Sequence, residues 1–391
     1  MFFCGIDIGK SSHVASIINS DGNIIKTFAF KNSKDGFNSF IDHVSKVSSN
    51  FDDFHFAMEA TGHYWLNIYA FLADFAKLLH VINPIQSDAL RNLFIKSNKS
   101  DIIDSFIIAE VIRINRFTST SMADDNRLAL KELTRFRTYQ AQTVTSLKLK
   151  AIKVIDVIFP EYSSVFSDTF GKTSTDILLN FPTPDQVLNI STTKLTNIIK
   201  KASRGSLGSK EALFLKDIAS KSVGISIGLD GFTFELCAIL NQIKFIESQI
   251  KELDKKIKKL YLSFDVLLHT ITGISFVNAS IILSEIGDIN KFENEAKLTS
   301  FAGLNPTEYS SGTSVKGKSK MSKKGSPFLR LAIWNASVIA SSNDSTFSEY
   351  YLKKRAEGKS YKGAIAAVCK KMTRVIFKIL KDKRAYIKCV K

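Results

Sequence analysis

The sequence predicts an α/β N-terminal part followed by a mainly helical part, and three observations predict it. Apolar runs of strand length alternate with helically spaced apolar residues over residues 1–120. Leu236, Ile239, Ile243, Ile246, Ile250, Leu253, Ile257 and Leu260 then recur at a strict 3-4-3-4 spacing, the mark of a long helix. Apolar helical stretches continue beyond it to the end of the chain.

In order, Phe2 to Ile8 and Val14 to Asn19 read as strands. Asp21-Gly22 is a hairpin turn signal, and Ile24 to Phe30 is the returning strand. Phe37, Phe40, Ile41 and Val44 form one helix face. Phe54 to Glu59 is a fourth strand, Tyr64 to Lys77 a helix, and Leu78 to Asn83 a fifth strand that Pro84 stops. Together they suit a mixed sheet covered by helices. From Arg127 to Phe159 the pattern is helical and partly basic. The stretch from Pro160 to Ser226, broken at Phe181-Pro182-Thr183-Pro184 and at Ser203-Arg204-Gly205, suits a small helical insertion. The four heptads from Leu236 to Leu260 are a dimerising coiled coil or one arm of an antiparallel helical hairpin, the plain alternative being a core helix packed on its own domain. Thr272-Gly273-Ile274 lies between two apolar helical stretches, Val266 to Ile271 and Val277 to Ile286, and Gly287 caps the second. The Gly273 turn either directs backbone N–H groups to a phosphate or simply breaks a helix.

The composition, 45% hydrophobic and 23% charged, is that of a globular protein. The net charge of +17 is concentrated at the end: residues 316–391 carry 20 Lys and Arg against four acids, Asp344, Glu349, Glu357 and Asp382. Such asymmetry points to a polyanion, because each cation that meets a phosphate releases a counterion. A membrane partner is not expected: no apolar stretch reaches the ~18 residues that a span needs. Residues 1–10 lead straight into a strand without signal-peptide layout. Cys4, Cys237, Cys369 and Cys389 form no CxxC, so neither a zinc site nor a disulfide framework is expected and a cytoplasmic, nucleoid-associated location fits.

Four acids stand out. Asp7 lies within the first, apolar strand, where a carboxylate is costly unless something compensates it. Glu59 ends the fourth strand. Asp101 and Asp104 share a helix face in a first turn, where the macrodipole favours anions. The plain alternatives are an N-cap for Asp101 and a surface acid for Asp104. Gathered on one sheet, the four acids would repel unless a hard cation, Mg²⁺ or Mn²⁺, came between them.

Gly5-Ile6-Asp7-Ile8-Gly9-Lys10, Met58-Glu59-Ala60-Thr61-Gly62, Val81-Ile82-Asn83-Pro84 and Lys99-Ser100-Asp101-Ile102-Ile103-Asp104 resemble the RuvC-like DEDD domain of the IS one-ten family of insertion-sequence transposases. Ile271-Thr272-Gly273-Ile274, Leu283-Ser284-Glu285-Ile286-Gly287-Asp288, Phe301-Ala302-Gly303-Leu304-Asn305-Pro306 and Met321-Ser322-Lys323-Lys324-Gly325 resemble that family's second transposase domain. Ser100 stands where the family's pattern has Thr.

The resemblance implies a RuvC-like (ribonuclease-H-type) domain at 1–125. A helical linker at 126–265 would contain the insertion (160–231) and the coiled coil (236–260), and a basic C-terminal transposase domain would occupy 266–391. It implies Asp7, Glu59, Asp101 and Asp104 as metal ligands and a catalytic serine within Tyr309-Ser310-Ser311-Gly312-Thr313-Ser314. Alignment on Tyr309 and Gly312 selects Ser311. Ser310 and Ser314 are close by, and composition alone does not choose among them. Family members cut and rejoin donor and target DNA through a phosphoserine link, guided by a structured bridge RNA. They act as homodimers and homotetramers whose sites combine the acids of one subunit with the serine of another. Lys316, Lys318, Lys320, Lys323 and Lys324 beside the serine, and Lys370, Lys371 and Arg374 in a later helix, are the expected nucleic-acid contacts. The competing readings are a metal-dependent DNA junction nuclease with water as nucleophile and a nucleic-acid-binding protein without catalysis.

Overall fold

A computed structural model describes residues 1–60, 62–82, 84–91, 100–115, 125–307, 310–311, 315–316 and 320–388. The chain forms two compact units, Met1–Met122 and Ala123–Lys391.

The first unit holds β1 (Phe2–Ile8), β2 (Ser12–Ile18), β3 (Ile24–Lys31), α1 (Lys34–Ser45), β4 (Phe54–Glu59), α2 (Trp65–Ala73), β5 (Leu79–Ile82), α3 (Pro84–Arg91) and α4 (Asp101–Arg113). Its sheet has the order β3-β2-β1-β4-β5, with β1 antiparallel to β2 and parallel to β4. The strand period of two sorts its residues. Cys4, Ile6, Phe56 and Met58 pack with Phe37, Phe40, Ile68 and Leu72 of α1 and α2. Phe3, Ala57 and Ile82 pack with Ile107, Ile108, Val111 and Ile112 of α4. Asn19 shapes the expected hairpin turn: its Oδ1 accepts the backbone N–H of Asp21 at 3.0 Å and of Asn23 at 2.8 Å. The second helix ends at Ala73, one turn earlier than its apolar pattern suggests.

Gly5 decides where α4 sits. A Cβ there would stand 2.2 Å from the Ser105 carbonyl oxygen and 2.4 Å from the Ala109 nitrogen, so only a glycine lets helix backbone rest on this strand. Ser105 fastens the contact, its Oγ 2.7 Å from the Oγ of Ser16 on β2.

The second unit begins with α5 (Asp125–Ile158), followed by α6 (Lys172–Asn180), α7 (Pro184–Asn189), α8 (Thr192–Ala202), α9 (Ser209–Ser220) and α10 (Leu229–Tyr261). The heptad helix α10 finds its partner within the chain, running antiparallel to α5. Arg137 meets Asp254 at 3.0 Å, the Gln140 amide donates to Gln249 at 2.8 Å, and Lys150 meets Glu235 at 3.2 Å. Within the chain the heptad helix is a hairpin arm against α5, and its stripe also enters the cores at both ends, as the plain alternative had it. Leu236, Ile239 and Ile243 join a core with Val154, Ile158 and helices α6–α9, so residues 160–231 contain four helices folded onto one end of the hairpin. Leu253, Ile257 and Tyr261 join a second core at the other end.

That second core contains α11 (Phe276–Ile286), α12 (Glu295–Phe301), α13 (Pro327–Asn343), α14 (Ser345–Ala356) and α15 (Tyr361–Asp382). Between α12 and α13 lie four two-residue strands, β6 (Pro306–Thr307), β7 (Ser310–Ser311), β8 (Val315–Lys316) and β9 (Lys320–Met321). The expected apolar helix from Val266 to Ile271 is instead one 3₁₀ turn, Leu268–Thr270. The Gly273 turn serves packing: a Cβ there would lie 2.5 Å from the Ala336 carbonyl oxygen of α13.

Candidate active site

Asp7 follows Gly5 by two residues and shares its face of β1, the face that α4 covers. Glu59, at the end of the neighbouring parallel strand β4, follows Ala57 on the same face. Ser100 caps α4, its Oγ accepting the Ile103 N–H at 3.4 Å. Asp101 is therefore inside the helix and not its cap. Asp104 is only 7% exposed and is not a surface acid. Both plain alternatives for these residues are thereby overturned by the helix start and the packing against β1.

The four acids form one electrostatic group. Burial, followed by the charges of Asp104, Asp101 and Glu59, pushes Asp7 up from 3.8 to about 6. The three acids whose charges act on Asp7 offer hard oxygen, the donor chemistry of Mg²⁺ or Mn²⁺, while the Ile8 N–H acts the other way and lowers it. Among the described residues, however, no three acids, histidines or cysteines converge to ligand distance. Two of the four are turned to protein partners. Ser87 Oγ donates to Glu59 Oε2 at 2.9 Å, and Arg91 Nη2 donates to Asp104 Oδ1 at 2.9 Å. Sequence reading missed Ser87 and Arg91. Their signal was their i, i+4 spacing on the helix that Pro84 opens.

The raised value of Asp7 has a measurable consequence. Its ionised form is disfavoured in the fold, so Asp7→Asn is expected to raise the melting temperature of the metal-free protein. The sign follows from 3.8 unfolded against about 6 folded. The gain is full above pH 6, shrinks between pH 6 and 4, and is gone below that, where both states are protonated. A melting-temperature series against pH checks it, and a gain that persists at the lowest pH would contradict the assignment.

In the second unit the expected serine lies on a hairpin within a hairpin. Pro306 pairs with Met321 and Thr307 with Lys320, and further out Ser310 pairs with Lys316 and Ser311 with Val315. Its base is clamped: the Ser322 N–H donates to the Asn305 carbonyl at 2.8 Å, and Arg330 Nη1 donates to the carbonyls of Ala302 and Lys323, each at 3.3 Å. An ion pair on the buried Glu285, also missed from sequence, holds the base. Arg135 of α5 grips both oxygens of Glu285 at 2.7 and 3.2 Å, and Ser326, the cap of α13, donates to Glu285 Oε2 at 2.8 Å.

The basic residues divide. Lys323 and Lys324 are exposed. Lys318 lies outside the described residues, as do the side chains of Ser311, Lys316 and Lys320. On α15, Arg374 is exposed and Lys370 half-buried. Lys371 is used internally: its ammonium donates to the Thr346 carbonyl at 2.7 Å and sits 5.1 Å from the Tyr350 ring centre. Among the described residues, no helix is long and apolar enough to cross a membrane.

Comparison with known proteins gives two successive transposase matches along the chain. A family model of the DEDD transposase domain of the IS110 type matches residues 4–160, and a model of the transposase IS116/IS110/IS902 family matches residues 265–352. The uncharacterized protein of insertion element IS116 from Streptomyces clavuligerus is 20% identical over 98% of this chain and 95% of its own. That of insertion element IS110 from Streptomyces coelicolor is 21% identical over 98% and 95%. The pilin gene-inverting protein of Moraxella lacunata is 22% identical over 99% and 98%. The DEDD domain implies a divalent metal. With the ribonuclease-H-like sheet, its acids and both matched models in order, the chain belongs to the IS116/IS110/IS902 family of transposases.

Proposed function

We propose that this transposase cuts and rejoins DNA through a phosphoserine intermediate on Ser311, guided by an element-encoded bridge RNA. The electrostatic grouping of Asp7 with Asp104, Asp101 and Glu59, four acids from three separate elements, carries the reading. Asp7, Glu59, Asp101 and Asp104 would hold Mg²⁺ or Mn²⁺, which when bound supplies Lewis-acid stabilisation of charge on phosphate oxygens. The Ser311 hydroxyl forms the new bond to phosphorus and gives up its proton, and the strand's own P–O bond breaks with its oxygen leaving as a hydroxyl. The ester energy stays in the serine link, so rejoining runs the same exchange backwards without ATP. Lys323, Lys324, Lys370 and Arg374, with Lys316, Lys318 and Lys320, would hold phosphates of DNA or guide RNA. Lys371, already committed to Thr346, contributes at most through packing. Residues 1–125 would act as the metal domain, 126–265 as the linker and 266–391 as the serine domain, with dimers and tetramers drawing acids and serine from different subunits. The gene-inverting relative supports a rearrangement of DNA over simple cutting.

The test mixes full-length protein, Mg²⁺, flanking RNA from the element and labelled donor and target DNA. Glu59→Gln and Asp101→Asn are expected to lose strand exchange by about a thousandfold while keeping RNA binding. Full activity in both variants would remove the metal assignment, and cleavage without any protein–DNA adduct would make water the nucleophile.

A further inference from the structure

Two of the four acids are held by one short helix. Ser87 and Arg91 stand four residues apart on α3 and so share a face. Ser87, 1% exposed, meets Glu59 at the end of β4, and Arg91 meets Asp104 in the first turn of α4. Asp104 is close to buried, and its Oδ1 accepts a guanidinium N–H at 2.9 Å. The other end of the same guanidinium is held by Asp88, whose side chain is 63% exposed.

We infer that Arg91 is a positioning residue of the acidic centre: its guanidinium is a resident counter-ion on Asp104 that a divalent cation must displace, so metal loading frees the Arg91 end of α3. The inference rests on the metal-binding reading above. A small octahedral cation needs carboxylate oxygens at about 2.1 Å. A guanidinium on the same Asp104 oxygen would be crowded against a second cation and repelled by it. Ser87 is neutral and can keep its hydroxyl on Glu59 in either state, so of these two α3 side chains it is Arg91 that meets the charge conflict. Asp88 sets the grip, because it draws the guanidinium outward and weakens its hold on Asp104.

The experiment titrates the full-length protein with Mn²⁺ alone in a calorimeter, for wild type, Arg91→Gln, Arg91→Lys and Asp88→Asn, with Asp7→Asn as control. Arg91→Gln is expected to bind Mn²⁺ about tenfold more tightly, the scale of a lost hydrogen bond to a charged group. Asp88→Asn, an exposed change, is expected to bind about twofold more weakly. Arg91→Lys keeps the charge and should stay near wild type. Hydrogen exchange gives a second readout: the α3 amides should exchange faster once Mn²⁺ is added to wild type, and already without metal in Arg91→Gln. A merely structural Arg91 would give equal or weaker Mn²⁺ binding on removal, and that result overturns the inference while leaving the metal centre in place. Should Arg91→Gln fail to fold, an unchanged or tighter Asp88→Asn overturns it instead. If wild type binds Mn²⁺ no better than Asp7→Asn, the metal reading itself falls and the inference with it.

Discussion

Ser311→Ala is expected to abolish the covalent DNA–protein band and to lower strand exchange by roughly four to six orders of magnitude, the scale on which a dedicated nucleophile acts. The loss should be in chemistry and not in binding. The exposed Lys323 and Lys324 at the base of the hairpin are untouched, so the affinity for DNA and its salt dependence should stay near wild type. The substitution removes one oxygen from a two-residue strand whose backbone pairing, Ser311 with Val315, does not depend on it. Circular dichroism should therefore be unchanged. Ser310→Ala and Ser314→Ala are the matched controls and should keep the band. A band that survives Ser311→Ala but vanishes in one control would move the nucleophile by that number of residues. Survival in all three would return the chain to the water-dependent nuclease reading.

Gly5→Ala is expected to destabilise the first unit by about 3 kcal/mol, at the upper end of ordinary overpacking. The added methyl would meet main-chain atoms, the Ser105 oxygen at 2.2 Å and the Ala109 nitrogen at 2.4 Å, and neither can turn aside as a side-chain tip would. The helix must lift. Because α4 carries Asp101 and Asp104, lifting it withdraws two charges from Asp7, so the raised Asp7 value should fall back towards 3.8. Chemical denaturation measures the first effect and a pH titration followed by carboxylate NMR measures the second. A variant as stable as wild type, with Asp7 still near 6, would show that the contact between β1 and α4 is not what gathers the acids.

Much of this fold was legible because its signals are local. The alternation in β1 and β4, the turn at Asp21-Gly22 and the heptads from Leu236 to Leu260 each report an element through its own period. What the heptads do not carry is the identity of their partner. The same stripe serves a second chain or a neighbouring helix, and it takes the pairings of Arg137 with Asp254, Gln140 with Gln249 and Lys150 with Glu235 to show that α5 fills the place. The acids were individually visible as misfits, Asp7 above all. Their gathering depends on Gly5, whose role is set by a helix a hundred residues away in sequence. Ser87 and Arg91 were missed for the opposite reason: their i, i+4 spacing on a short amphipathic helix looks like any solvated face until the acids they meet are placed.

The pairing of α5 with α10 sets a length as well as a topology. At 1.5 Å per residue, the 34 residues of α5 make a strut about 50 Å long. One core grips it from Val144 onward and the other near Leu130. The Gln140–Gln249 amide pair between them pins the register, since a slip by one turn would leave the buried Gln140 amide without this partner. The strut therefore works as a fixed ruler: the grip near Leu130 and the grip that begins at Val144 are held about 20 Å apart along its axis, at 1.5 Å per residue.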